Sequence, residues 1–151
     1  MSNINAIILS KKYYIIDIDR IIIIKGSVGM YEITTEAHFS AAHYLRRYNG
    51  PCENLHGHNW LVRVTVKCEN LDKSGLGIDF RVLKRHLGGI LDDYDHKNLN
   101  DIFDKTDESP SSECLARHIY GRLVESLSAL EAKVVRVEVQ ETPGNSAAYY
   151  E

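Results

Sequence analysis

Two long runs of this chain alternate apolar with polar side chains, and each carries histidine at one end of its apolar set. From Tyr31 the apolar set is Tyr31, Ile33, Thr35, Ala37, Phe39, Ala41 and His43, and Glu32, Thr34, Glu36, His38 and Ser40 lie between them. From about His56 to Cys68, one set is His56, His58, Trp60, Val62, Val64, Val66 and Cys68, set against Asn59, Arg63, Thr65 and Lys67. A period of two is that of a β-strand with one buried and one wet face. It also pins the register, because a one-residue slip would turn every apolar side chain to water.

Downstream the period changes. Asp79 is a plausible N-cap, and Phe80, Leu83, Leu87, Leu91 and Tyr94 recur at helical spacing, weakened locally by Gly88-Gly89. A polar loop is predicted from Lys97 to Pro110. A second helix follows from Ser111 or Ser112, with Leu115, Ile119, Leu123 and Leu127 as its stripe. The spacing then returns to two over Lys133 to Thr142, placing Val135, Val137, Val139 and Glu141 on one face. Pro143-Gly144 ends that strand, and a short final strand is expected over Ala147 to Glu151. The order ββααββ predicts an α+β domain, with two helices on one face of an antiparallel sheet.

Residues 1–29 are Ile-, Lys-, Tyr- and Asp-rich and end in Lys25-Gly26-Ser27-Val28-Gly29. Two readings stand: translation starting at Met30, or an added strand or hairpin built from Tyr13 to Ile24. The domain proper is 30–151. A length of 151 residues suits one domain with a sizeable core. A net charge of −3 without a basic block gives no sign of a nucleic-acid partner. No stretch approaches the roughly 20 apolar residues of a membrane span. Cys52, Cys68 and Cys114 are odd in number and widely spaced, which argues against a disulfide framework and for a reducing, cytoplasmic setting.

His43, His56 and His58 share apolar strand faces, and His56 and His58 point the same way because they are two apart. If the two strands pair, three imidazoles converge. Three ligands with one open position is the arrangement of a catalytic zinc ion, although imidazole also suits other transition metals. His38 has the opposite parity. Cys52, four residues before His56, is either a fourth, closing ligand or a thiol activated by the neighbouring cation. Cys68 and Cys114 read as small core residues. Asp95-His96, at the end of the first helical segment, is either a proton-transfer pair or a favourable helix terminus. Glu141 is the one acid on an apolar strand face. It needs a partner such as a ligand with N–H donors, unless the strand end is wet. Glu113, near a helix start, has an ordinary helix-dipole explanation.

Phe39-Ser40-Ala41-Ala42-His43 followed by Cys52-Glu53-Asn54-Leu55-His56-Gly57-His58 resembles the 6-pyruvoyltetrahydropterin and 6-carboxytetrahydropterin synthase family. Ile78-Asp79-Phe80, Tyr94-Asp95-His96 with Leu99-Asn100, Pro110-Ser111-Ser112-Glu113 and Gln140-Glu141-Thr142 extend the likeness from Met30 to the C-terminus. The resemblance implies a tunnelling fold (T-fold), assembled as a homo-oligomer, typically a hexamer, with active sites between subunits. It implies zinc on His43, His56 and His58, Cys52 as catalytic thiol and Asp95 with His96 as proton-transfer pair. Glu141 would anchor the pterin with help from Glu113. The implied substrate is the small molecule 7,8-dihydroneopterin triphosphate. The favoured product is 6-carboxy-5,6,7,8-tetrahydropterin, formed with release of acetaldehyde and triphosphate in queuosine (7-deazaguanine) biosynthesis. A pyruvoyl-forming or folate-pathway lyase is the nearer alternative, and a non-catalytic zinc or pterin-binding module the more distant one. Two departures stand out. Ser111 replaces the family's usual Thr, and Glu53 directly follows Cys52 where some relatives use Glu in place of the thiol, which leaves the product open.

Overall fold

The computed structural model describes residues 29–151 in full and, before them, the backbone of three strands. The chain divides into two units, Met1–Met30 and Tyr31–Glu151. In the first, β1 (Asn5–Leu9), β2 (Lys12–Asp17) and β3 (Arg20–Ile24) form an antiparallel sheet in that order. β2 and β3 pair from Tyr13↔Ile24 to Asp17↔Arg20.

The second unit is a four-stranded antiparallel sheet in the order β4 (Tyr31–His43), β5 (His56–Cys68), β6 (Lys133–Thr142) and β7 (Asn145–Tyr149). β4 and β5 match end to end, from Tyr31↔Cys68 to His43↔His56. With that register the apolar sets of both strands fall on one face. There Phe39, Trp60, Val62, Val64 and Val66 are buried together with Leu83, Leu87, Leu115, Ile119 and Leu123 of the helices. α1 (Phe80–Leu91) packs on β4, and α3 (Ser112–Ser126) packs on β6 and β7. Both long helices are capped, the first by Asp79 as expected and the second by Ser111. Asp79 accepts the Arg81 N–H at 2.7 Å, and Ser111 accepts that of Cys114 at 3.3 Å. Among the described residues no helix is long and apolar enough to cross a membrane.

Four expectations need correction. The region Lys97 to Pro110 is not a plain loop: it holds a short helix α2 (Leu99–Ile102), capped by Asn98, and a 3-10 turn over Asp104–Thr106. Asp95-His96 do not end a helix, because α1 stops at Leu91 and both residues lie in the turns that follow. Val135 does not share a face with Val137. The register passes from Thr65↔Arg136 to Val66↔Val134, so Val135 is the extra residue of a β-bulge and Val134 takes the buried position. The final strand runs Asn145–Tyr149, two residues earlier than expected, because Gly144 at φ 89° makes the turn tight.

Candidate metal centre and active site

Register alone brings the three histidines together. His43 lies opposite His56, and Ala41 lies opposite His58, so all three rings rise from the same end of the same sheet face. Parity does this without help from Gly57, where an added Cβ would sit 3.6 Å from the Ala41 carbonyl, an ordinary contact. His43 is 1% exposed. Trp60, the next residue of the β5 set, packs edge-on against both His43 and His58.

The outer nitrogens of two rings are fixed by backbone carbonyls. His43 Nδ1 lies 2.8 Å from the Pro110 oxygen and His56 Nδ1 lies 2.7 Å from that of Asn54. A carbonyl only accepts, so both Nδ1 atoms carry hydrogen and a neutral ring then presents a bare Nε2 lone pair. Those two Nε2 atoms are 3.1 Å apart. A hydrogen bond between them would require one imidazolium, yet burial, more than any other influence, pushes the His43 pKa below the usual histidine value. Burial lowers His58 too, and its Nε2 is buried without a hydrogen bond, although Glu141 Oε1 is 2.9 Å away. Buried donor atoms in this state fit a divalent cation better than they fit one another. The ligand atoms of His43, His56, His58 and Glu141 all lie within 4.8 Å of each other, so the group can hold a metal ion.

Glu141 reaches this group because of a second bulge. β6 and β7 pair at Gln140↔Ser146 and then at Thr142↔Asn145, leaving Glu141 as the extra residue. The Ser112 hydroxyl donates to its other oxygen at 3.3 Å. Glu113, the acid expected to assist, is exposed on the first turn of α3. Its neighbour Ser112 makes the contact instead.

Cys52 sits half-buried in a 3-10 turn (Pro51–Glu53), its carbonyl accepting the Leu45 N–H at 2.8 Å. Its sulfur is not part of the ligand group around the histidines. Asp95 and His96 are held against the outer edge of β4. Asp95 Oδ1 accepts the Ser40 N–H at 2.8 Å, the His96 N–H donates to the Ser40 carbonyl at 2.6 Å, and the Ala42 N–H donates to the Lys97 carbonyl at 3.0 Å. The Ser40 N–H, ahead of the His96 ring, holds the Asp95 carboxyl below its usual range. His96 Nδ1 is 2.7 Å from Asp95 Oδ2, on a ring that is 82% exposed. His96 adopts φ 58°, a left-handed conformation costly for a residue with a Cβ and concentrated at functional sites. Ser40, Ala42, His58, Asn59, His96 and Asn98 line a common cleft. Among the described residues no hydrogen bond joins the Cys52 thiol to Asp95 or His96.

Several contributors escaped the sequence reading. The Pro110 and Asn54 carbonyls are backbone groups without a side-chain signature. Asn100, only 2% exposed, grips the residue after His43, accepting the Tyr44 N–H at 2.8 Å and donating to the Tyr44 carbonyl at 2.9 Å. The Leu99-Asn100 pair was visible; its role was not.

The sequence model of the family described as 6-pyruvoyl tetrahydropterin synthase matches residues 32–151. A 6-carboxy-5,6,7,8-tetrahydropterin synthase of Bacillus subtilis is 37% identical over 79% of this chain and 84% of its own. One of Synechocystis is 38% identical over 80% and 94%. Among solved structures, the Caenorhabditis elegans 6-pyruvoyl tetrahydropterin synthase superposes with a TM-score of 0.69 at 27% identity, covering 82% of this chain and 97% of its own.

Proposed function

Because this chain belongs to the 6-pyruvoyl tetrahydropterin synthase family, we propose that it is a zinc-dependent lyase converting 7,8-dihydroneopterin triphosphate to 6-carboxy-5,6,7,8-tetrahydropterin, with release of acetaldehyde and triphosphate. The carrying observation is the 3.1 Å approach of two Nε2 atoms whose Nδ1 hydrogens are already committed to carbonyls. The names of the two bacterial relatives favour the carboxy-forming product and, with it, a place in queuosine biosynthesis.

In this reading His43, His56 and His58 hold zinc, which when bound supplies Lewis-acid polarisation of the substrate side chain. Cys52 takes a proton from that side chain as thiolate. His96, oriented by Asp95, moves the second proton. Glu141 accepts hydrogen bonds from the pterin edge, with Ser112 steadying its second oxygen and Glu113 nearby on the same helix turn. The exposed His96 ring and the Cys52 thiol, unlinked within one chain, favour a homo-oligomer, a hexamer by family likeness, in which neighbouring copies complete each site; the free, widely spaced cysteines favour the cytoplasm.

A second reading rests on Glu141. Its oxygen beside His58 Nε2 makes it a candidate fourth ligand, which would close the site and make the metal structural. Turnover of the zinc-loaded chain with dihydroneopterin triphosphate, monitored by product chromatography and acetaldehyde release, tests the first reading. Cys52→Ala should keep zinc and lose turnover. A Glu141→Ala variant that loses zinc, in a chain without turnover, supports the second.

A further inference from the structure

Three residues past His43, Arg46 gathers the loop between α2 and α3. Its Nη1 donates to the Glu108 carbonyl at 3.0 Å and the Phe103 carbonyl at 3.4 Å, and its Nη2 donates to the Asn100 carbonyl at 3.2 Å. Asp104 Oδ1 lies 3.6 Å from the same Nη2, and the Arg46 side chain is only 19% exposed. The Arg46 backbone joins in: its N–H donates to the Ser109 hydroxyl at 2.7 Å, and that hydroxyl lies 3.4 Å from the Arg46 carbonyl. One residue therefore touches the loop at its start, its middle and at the position immediately before Pro110.

Pro110 is where the loop meets the metal centre, since its carbonyl takes the His43 Nδ1 hydrogen. Proline has no N–H of its own, and the peptide that carries its carbonyl is braced from the other side, where the Ser111 N–H donates to the Ser109 carbonyl at 2.8 Å. Between α2 and α3 the chain makes one 3-10 turn, Asp104–Thr106, followed by Asp107 at φ 55°, so little regular structure holds it. The guanidinium is the donor to the Asn100 and Glu108 carbonyls, whereas the Phe103 carbonyl also accepts the Thr106 N–H at 3.1 Å and the Thr106 hydroxyl at 2.9 Å. A planar fork with several N–H groups can serve three carbonyls at once, which a lysine ammonium on a flexible stem does poorly.

We infer that Arg46 is a positioning residue for the metal centre. By holding the loop through its carbonyls and Ser109, it sets the Pro110 oxygen that selects the His43 tautomer and ring orientation. This role rests on the metal-binding reading above and extends it to a residue that touches neither metal nor substrate. Partners that orient a ligating histidine typically change metal affinity by about 10–100-fold when removed.

The test uses the full chain, Zn2+ competed against a chromophoric chelator, and the absorption spectrum of the Co2+ form. Arg46→Met should weaken Zn2+ binding by about tenfold and shift the Co2+ bands, with the far-ultraviolet dichroism of the metal-free protein unchanged. Arg46→Lys should recover only part of the affinity. Should Arg46→Met fail to fold, Arg46→Lys and Ser109→Ala carry the same comparison. Folded variants with wild-type Zn2+ affinity and Co2+ spectra overturn the role of Arg46 alone. A wild-type chain that binds neither ion overturns the metal reading and this role with it.

Discussion

The Nε2 atoms of His43 and His56 stand 3.1 Å apart because the two residues face each other across β4 and β5 and turn their Nδ1 hydrogens outward to carbonyls. Two neutral rings so arranged repel through their lone pairs, and a shared cation removes that repulsion. Zinc at roughly 100 times its dissociation constant should therefore stabilise the chain by about 2.7 kcal/mol, a rise in Tm on the order of 10 °C. Calorimetry of wild type and His56→Ala with and without zinc checks this; an equal rise in both would refute it.

The same burial makes the metal-free protein sensitive to acid. The pKa values of His43 and His58 are lowered, first by desolvation, whereas in the unfolded chain both titrate near 6.5. The unfolded state then binds more protons below that value, so stability is complete above pH 6.5 and declines as pH falls towards the folded pKa values. Within that window each histidine contributes a slope of at most about 1.4 kcal/mol per pH unit. Urea midpoints of the metal-free chain at pH 7.5 and pH 5.5 should show the fall, and His58→Gln should lessen it.

His96 is the exposed half of the Asp95 pair, so its loss should spare the metal. His96→Ala is expected to lower kcat by roughly 10²–10⁴-fold, the usual worth of a general acid or base, while zinc stoichiometry is unchanged. Steady-state kinetics beside metal analysis decides the matter. A variant with both properties of wild type removes His96 from the mechanism.

Trp60, the only tryptophan, is fully buried against His43 and His58 and donates its indole N–H to the Ala41 carbonyl at 3.2 Å. Its fluorescence should be quenched when Co2+ binds. Trp60→Phe should cost about 1–3 kcal/mol, through the lost hydrogen bond and the lost packing of the larger buried indole. Co2+ titration and urea unfolding measure the two effects; unaltered emission on Co2+ binding would place the ion elsewhere.

Much of this domain was legible along the chain because strand parity is a local property. The alternation from Tyr31 to His43 and from His56 to Cys68 determined which face each histidine takes, and the cap Asp79 marked where the first long helix begins. What sequence spacing could not decide was set by contacts between distant segments. The bulges at Val135 and Glu141 depend on how β6 meets its neighbours, and they alone move Val134 inward and turn the Glu141 carboxylate towards His58. The Pro110 and Asn54 carbonyls that fix the ring tautomers are backbone atoms common to every residue, so no residue type announces them. Local periodicity chose the side of the sheet for each ligand; long-range register and loop packing chose the direction in which each nitrogen points.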